Sequence, residues 1–223
     1  MQNVMELNVN NCAKLSSLSF KFISCLRNLT VLKACYLSNY QFDVNIKSCL
    51  LEVGNKLTIL DLSGITNVDT HIIGSCCPDL KELSLNDCVF MQPVSDMDKS
   101  LVQSCDQLKI LSMTQMNFVY SRYSITSIRS IFTGQNCITH LTLTSSTEPF
   151  LKTLIREFEF LELVSLNLSG STSVTLKLIL TMLQLFPKLS ELTVRKCNLI
   201  KSEKRVLKDF IDKANIDLKL NID

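Results

Sequence analysis

One spacing recurs along this chain of 223 residues. The stretch "CPDLKELSLNDC" at 77–88 puts Leu80, Leu83, Leu85 and Cys88 in the form L-x-x-L-x-L-x-x-C. The form returns as "LTILDLSGI" at 57–65, "LKILSMTQM" at 108–116, "ITHLTLTSS" at 138–146, "LVSLNLSGS" at 163–171 and "LSELTVRKC" at 189–197. Looser copies are "VMELNVNNC" at 4–12, "LTVLKACYL" at 29–37 and a terminal "NIDLKLNID" at 215–223. The middle leucines are then Leu7, Leu32, Leu60, Leu83, Leu111, Leu141, Leu166, Leu192 and Leu218, between 23 and 30 residues apart. Self-similarity at that period marks a stack of small supersecondary units.

Within L-x-L the two leucines point to one face of a strand and the residue between them to the other. One such strand cannot bury its apolar face alone, so copies must stack and share a core. Between the strands lie segments with helical spacing. They are Met97, Leu101 and Val102; Ile125, Ile128, Ile131 and Phe132; Leu151, Leu154, Ile155 and Phe158; and Val206, Leu207, Phe210 and Ile211. The prediction is an α/β fold: a right-handed β-α superhelix with a parallel inner sheet and outer helices. It forms a single domain over 1–223, with about eight to nine repeats.

The pattern resembles leucine-rich-repeat proteins of the cysteine-containing subtype, over essentially the whole chain. That subtype carries Cys at the ninth position, as at Cys12, Cys88 and Cys197, and Cys shortly before the first leucine, as in "CCPDL" and "SCDQL". Ile65, Met116, Ser146 and Ser171 interrupt the cysteine ladder. The resemblance implies a protein-recognition role like that of the repeat region of F-box/leucine-rich-repeat proteins, the substrate receptors of cullin-type ubiquitin ligases. The alternative it leaves open is a stand-alone scaffold or inhibitor, similar to ribonuclease-inhibitor-like solenoids. No F-box-like segment precedes the first repeat at Val4. The expectation is therefore a missing N-terminal segment that would dock the ligase, rather than a second chain covering that edge.

Composition closes other routes. A formal charge of +2 gives no global field toward nucleic acid or anionic lipid, and no apolar run is long enough to span a bilayer. The opening "MQNVMELNVNNC" lacks the order of a signal peptide. Ten cysteines then read as free, buried thiols in a reducing compartment. The expected location is the cytoplasm, with the nucleus also open, and the sequons at Asn28 and Asn167 carry little weight against it.

No C-x-x-C pair exists, and only His71 and His140 could join a metal site, so neither metal nor cofactor is expected. Cys137 lies three residues before His140 but fits no nucleophile turn. The five glycines form no phosphate loop, and Asp96 and Asp98 fall in a loop insertion. The basic C-terminal stretch from Arg195 to Lys213 interleaves Glu203, Asp209 and Asp212 with apolar residues, as an amphipathic helix does. The expectation is a non-enzyme whose partner is a protein, with no nucleic acid and no membrane.

Binding is expected on the concave face of the inner sheet, whose outward positions fall in rows. Its candidates are Glu82, Ser84, Asn86, Ser112, Thr114, His140, Thr142, Asn167, Glu191 and Arg195, and the terminal repeat places Asp217 in the row of Glu191. A second candidate site is the insert "NFVYSRYSITS" at 117–127, next to a long loop at 89–99. It groups Phe118, Tyr120, Arg122 and Tyr123, residue types favoured at protein contacts. The repeat reading predicts that Leu83→Asp lowers the melting temperature sharply, since it puts a charge in the shared core. A wild-type melting curve for that variant overturns the reading.

Overall fold

The computed structural model describes residues 3–12, 14–37, 41–91, 105–115, 117–118, 128–132, 137–214 and 216–223. The chain divides into two compact units, Met1–Gln135 and Asn136–Asp223. In the first, strands β1 (Glu6–Asn8), β2 (Val31–Lys33), β3 (Ile59–Asp61), β4 (Glu82–Ser84) and β6 (Ile110–Ser112) pair in chain order, all parallel. Helices α1 (Ser17–Ile23), α2 (Lys47–Val53), α3 (Thr70–Cys76) and α4 (Arg129–Phe132) pack each against the next. In the second unit β8 (His140–Thr142), β9 (Ser165–Asn167), β10 (Glu191–Thr193) and β11 (Lys219–Asn221) are likewise parallel and in order. Their crossovers are α5 (Glu148–Glu157), α6 (Leu176–Leu185) and α7 (Lys201–Lys213). The fold is thus α/β with wholly parallel pairing in each unit.

Three-residue strands are too short to hold a sheet by themselves, and the ladder runs on past them. Between successive repeats of each unit the sixth-position N–H donates to the fifth-position carbonyl of the next. Val9 bonds Lys33, Ala34 bonds Asp61, Leu62 bonds Ser84 and Leu85 bonds Ser112, at 2.8–3.0 Å. Leu143, Leu168 and Val194 do the same in the second unit. The eighth-position N–H then reaches the seventh-position carbonyl of the next repeat, as from Gly64 to Asn86 at 2.7 Å and from Gly170 to Arg195 at 2.8 Å.

That second bond requires the chain to turn sharply at the eighth position. Asn11, Tyr36, Gly64, Asp87 and Gln115, and in the second unit Ser145, Gly170 and Lys196, all have positive φ between 46° and 76°. Six of these eight are not glycine, and each such residue carries a local conformational cost of about 1 kcal/mol or more. The backbone bond to the next repeat holds Asn11, Tyr36, Asp87 and Ser145 there, and at Lys196 the N–H donates to the Asp223 carboxylate instead.

The core follows the leucines. Leu32, Leu60 and Leu111 are fully buried, as are Leu29, Leu57, Leu62 and Leu85, and Leu83 is 1% exposed. Three residues ahead of each first leucine a carbonyl accepts that leucine's N–H: Leu26, Gly54, Cys77 and Cys105 in the first unit, Phe160 and Phe186 in the second. This column is filled to match. A Cβ on Gly54 would come within 3.1 Å of the Cys77 Sγ and 2.7 Å of the Cys76 carbonyl oxygen. In the second unit the Phe160 and Phe186 rings meet edge to face at 5.6 Å.

Position nine explains the interrupted cysteine ladder. The Cys88 thiol donates to the Leu62 carbonyl at 3.2 Å and the Cys197 thiol to that of Leu168 at 3.4 Å. The Ser171 hydroxyl donates to the Leu143 carbonyl at 3.4 Å, so serine there makes the bond that cysteine makes elsewhere. Each of the three reaches the sixth-position carbonyl of the preceding repeat. Ser146 is equally buried, but its Oγ has no partner among the described residues. Cys12, expected to be buried, is exposed, because β1 is an edge strand.

Three expectations need correction. The terminal repeat is shifted by two residues: Leu220, not Leu218, registers with Leu192, so Lys219 and not Asp217 stands beside Glu191. "NIDLKLNID" alternates apolar and polar residues throughout and therefore fits several registers. The chosen one pairs Glu191 with Lys219 and brings the Asp223 carboxylate to the Lys196 N–H. Val206 is 49% exposed while Leu207 and Ile211 are buried, so the inner face of α7 is narrower than its spacing suggests. Val89–Phe90 (β5) and Asn117–Phe118 (β7), read as loop and insert, pair in parallel as a second small sheet. The expected helical set at Met97, Leu101 and Val102, together with Ile125, Asp96 and Asp98, lies outside the described residues.

Tyr36 ties three successive eighth positions together. Its ring lies over Gly64, where an added Cβ would sit 2.5 Å from Cδ1, and its hydroxyl donates to Asp87 Oδ2 at 2.6 Å. At Gly170 the nearest obstacle is the Ser145 Oγ at 3.0 Å, a rotatable atom. Gly64→Ala is therefore expected to cost about 2–3 kcal/mol, and Gly170→Ala only about 1 kcal/mol. Urea unfolding of both variants checks this; equal losses would show that the Tyr36 ring adds nothing to the backbone strain.

Candidate recognition surfaces

Opposite the buried leucines, each unit presents an outward sheet face whose rows are fixed by strand register. In the first unit one row is Glu6, Val31, Ile59, Glu82 and Ile110, and the next is Asn8, Lys33, Asp61, Ser84 and Ser112. The seventh-position row, read from sequence as outward, is partly closed: Cys35 and Ser63 are buried. The Ser63 hydroxyl donates to Asp61 Oδ1 at 2.7 Å and accepts from the Asn86 N–H at 3.3 Å, which draws it into the turn. Asn86 and Thr114 remain half-buried, and Asn86 Oδ1 accepts from the Ser112 hydroxyl at 2.8 Å. Glu82 and Ser84 make no side-chain hydrogen bond among the described residues.

In the second unit the rows are His140, Ser165, Glu191 and Lys219, then Thr142, Asn167, Thr193 and Asn221. Here the polar groups are tied to one another. Glu191 accepts from Lys219 Nζ at 2.8 Å and Asn221 Nδ2 at 3.2 Å on one oxygen, and from the Ser165 hydroxyl at 3.2 Å on the other. Lys219 above all, and Ser165 after it, hold its carboxyl below the ordinary carboxylate range. Asn167 Oδ1 accepts the Ser169 N–H and hydroxyl at 3.0 and 2.7 Å, an Asx turn that closes the strand end. Arg195 is exposed, as is His140, whose Nδ1 lies 2.9 Å from the Thr139 hydroxyl.

The sequence-selected residues are thus divided. Glu82, Ser84, Asn86, Ser112 and Thr114 share the first unit's face, and His140, Thr142, Asn167, Glu191 and Arg195 the second's. Phe118 lies on β7 with its backbone paired to Phe90, whereas Tyr120, Arg122 and Tyr123 lie outside the described residues. Sequence reasoning missed Lys219 and Asn221 as members of the Glu191 cluster. The signal was present in the alternation of the last repeat, but only the register decides which residues meet.

Most of the thiols sit behind these faces. Cys35, Cys49, Cys88 and Cys105 are buried, and loss of solvent pushes each thiol up to about 12, with the Asp61 carboxylate adding to the effect at Cys35. Burial drives Cys77 up as well. Thiols held protonated are poor nucleophiles and poor metal ligands. Among the described residues no group of three or more His, Cys, Asp or Glu is placed to hold a metal ion. No helix among them is long and apolar enough to cross a membrane.

No protein-family model and no curated protein matches this chain. Its chemistry is therefore read from its own residues.

Raised thiol values also carry a stability consequence. Between the ordinary thiol value of 9.0 and about 12, the unfolded chain sheds these protons and the folded chain keeps them. Stability is then complete below pH 9 and falls as pH rises through that window. Alkylation at pH 8 is expected to label the exposed Cys12 and Cys25 in the folded protein, and Cys49, Cys77, Cys88 and Cys105 only after unfolding. Mass spectrometry of the labelled peptides checks this, and fast labelling of Cys77 in folded protein would contradict it.

Proposed function

We propose that this chain is a protein-recognition module, built from leucine-rich repeats of the cysteine-containing subtype, each unit being a stretch of right-handed solenoid. The observation that carries the reading is the division of labour in each repeat. Large apolar side chains and thiols fill the interior, while the outward sheet positions hold mainly polar side chains, joined in the first unit by Val31, Ile59 and Ile110, on a hydrogen-bonded backbone ladder. Rigid, regularly spaced side chains suit recognition of a partner surface, because little ordering entropy is lost on binding. The buried thiols of Cys35, Cys49, Cys77, Cys88 and Cys105 are held protonated, which suits them to filling a core and makes them poor nucleophiles.

The substrate-receptor role in a cullin-type ubiquitin ligase rests on the resemblance of the cysteine-bearing repeats, at Cys88 and Cys197 and in "CCPDL". In that role the sheet faces hold a substrate protein in the cytoplasm or nucleus, and ligase components join through a segment ahead of the first repeat. Shared membership of one complex is the test. The tagged protein is purified from cells beside Ser84→Arg and Thr142→Arg variants, one on each face. Neither residue makes a side-chain hydrogen bond among the described residues, so wild-type melting is expected for both. At least one variant should lose a protein that the wild type retains, with any cullin components still bound. If both variants recover every partner at wild-type levels, recognition through these faces is wrong.

A further inference from the structure

We infer that the outward face of the first unit, centred on Glu82, docks a protein segment that carries a lysine or arginine beside an aliphatic side chain. This rests on the recognition reading and narrows it to one unit and one chemistry. Register places Glu82 between Ile59 and Ile110, with Val31 on the strand beyond Ile59. Ile110 is 39% exposed, and Val31 and Ile59 are half-buried. Adjacent strands lie about 5 Å apart, so Ile59, Glu82 and Ile110 form a continuous strip about 10 Å long.

Among the described residues, neither Glu6, Asp61 nor Glu82 forms an ion pair, although Lys33, Lys81 and Lys109 lie nearby in sequence or register. Asp61 Oδ1 accepts the Ser63 N–H and hydroxyl. The contrast with the second unit is direct. Glu191 occupies the same row position as Glu82, yet Lys219, Asn221 and Ser165 already satisfy it. A carboxylate with its own cation gains little from another; one without a partner keeps its full capacity to select for charge.

The two features must be met together. Covering Ile59 and Ile110 with apolar surface removes water from Glu82, and a buried carboxylate without a donor is costly. A partner that fits therefore brings an aliphatic group for the isoleucines and a cation for the glutamate. Phosphate-bearing partners meet Glu6, Asp61 and Glu82 as like charges and are disfavoured here.

Random peptides displayed on phage are selected on the folded full chain, and the survivors are measured on Glu82→Gln, Glu82→Lys and Glu191→Gln variants of wild-type melting. The expected survivors place lysine or arginine next to leucine, isoleucine, valine or methionine. They should bind Glu82→Lys at least about tenfold more weakly, Glu82→Gln weakly, and Glu191→Gln as the wild type does. Survivors lacking that pairing, survivors indifferent to Glu82→Lys, or no survivors at all overturn the inference. The Ser84→Arg and Thr142→Arg purifications judge recognition separately. A partner lost there, without any preference for basic peptides here, leaves recognition standing and removes only this inference.

Discussion

Within each unit, N–H groups at the sixth and eighth positions donate to backbone carbonyls of the repeat that follows, as at Val9, Asn11, Leu62, Gly64, Leu168 and Gly170, and the rest of each unit depends on those bonds. They join three-residue strands that have no stability alone, and they fix the register to the residue. A register set in this way decides which side chains become neighbours on the outward face. It also holds six residues in the left-handed region, four of them without the freedom of glycine. Such strain persists where surrounding contacts over-determine it.

Around that ladder, side chains of different kinds do equivalent work. At the ninth position Cys88, Cys197 and Ser171 donate to a carbonyl of the preceding repeat, and Ile65 fills the same buried place without a donor. Three residues ahead of the first leucine the column accepts leucine, glycine, cysteine or phenylalanine, provided that the neighbours share the space. Gly54 is small where the Cys77 sulfur comes close, and Phe160 and Phe186 fill theirs together. The buried thiols stay protonated because the core that needs their volume excludes the water that would stabilise their charge.

The two outward faces differ in a way that residue types alone conceal. Both carry a glutamate in the first row. One is enclosed by its own chain's lysine, asparagine and serine, and the other stands between isoleucines with no donor among the described residues. A surface whose polar groups are mutually satisfied offers shape, whereas one with an unpaired carboxylate offers charge selectivity as well.

The repeat, the leucines that fill the core, the strand centres from Leu7 to Leu192 and most of the outward residues were legible along the chain. They were so because L-x-x-L-x-L encodes which side of a strand is apolar, and that is local information. The register of the last strand, the burial of Cys35 and Ser63, the equivalence of Ser171 with Cys88, and the clasp of Tyr36 over Gly64 onto Asp87 depend on how the repeats meet in space. Each of these joins residues about 25 to 50 positions apart. No periodicity read along one strand specifies them. They arise when the backbone ladder brings successive repeats into contact and the side chains settle against what they find there.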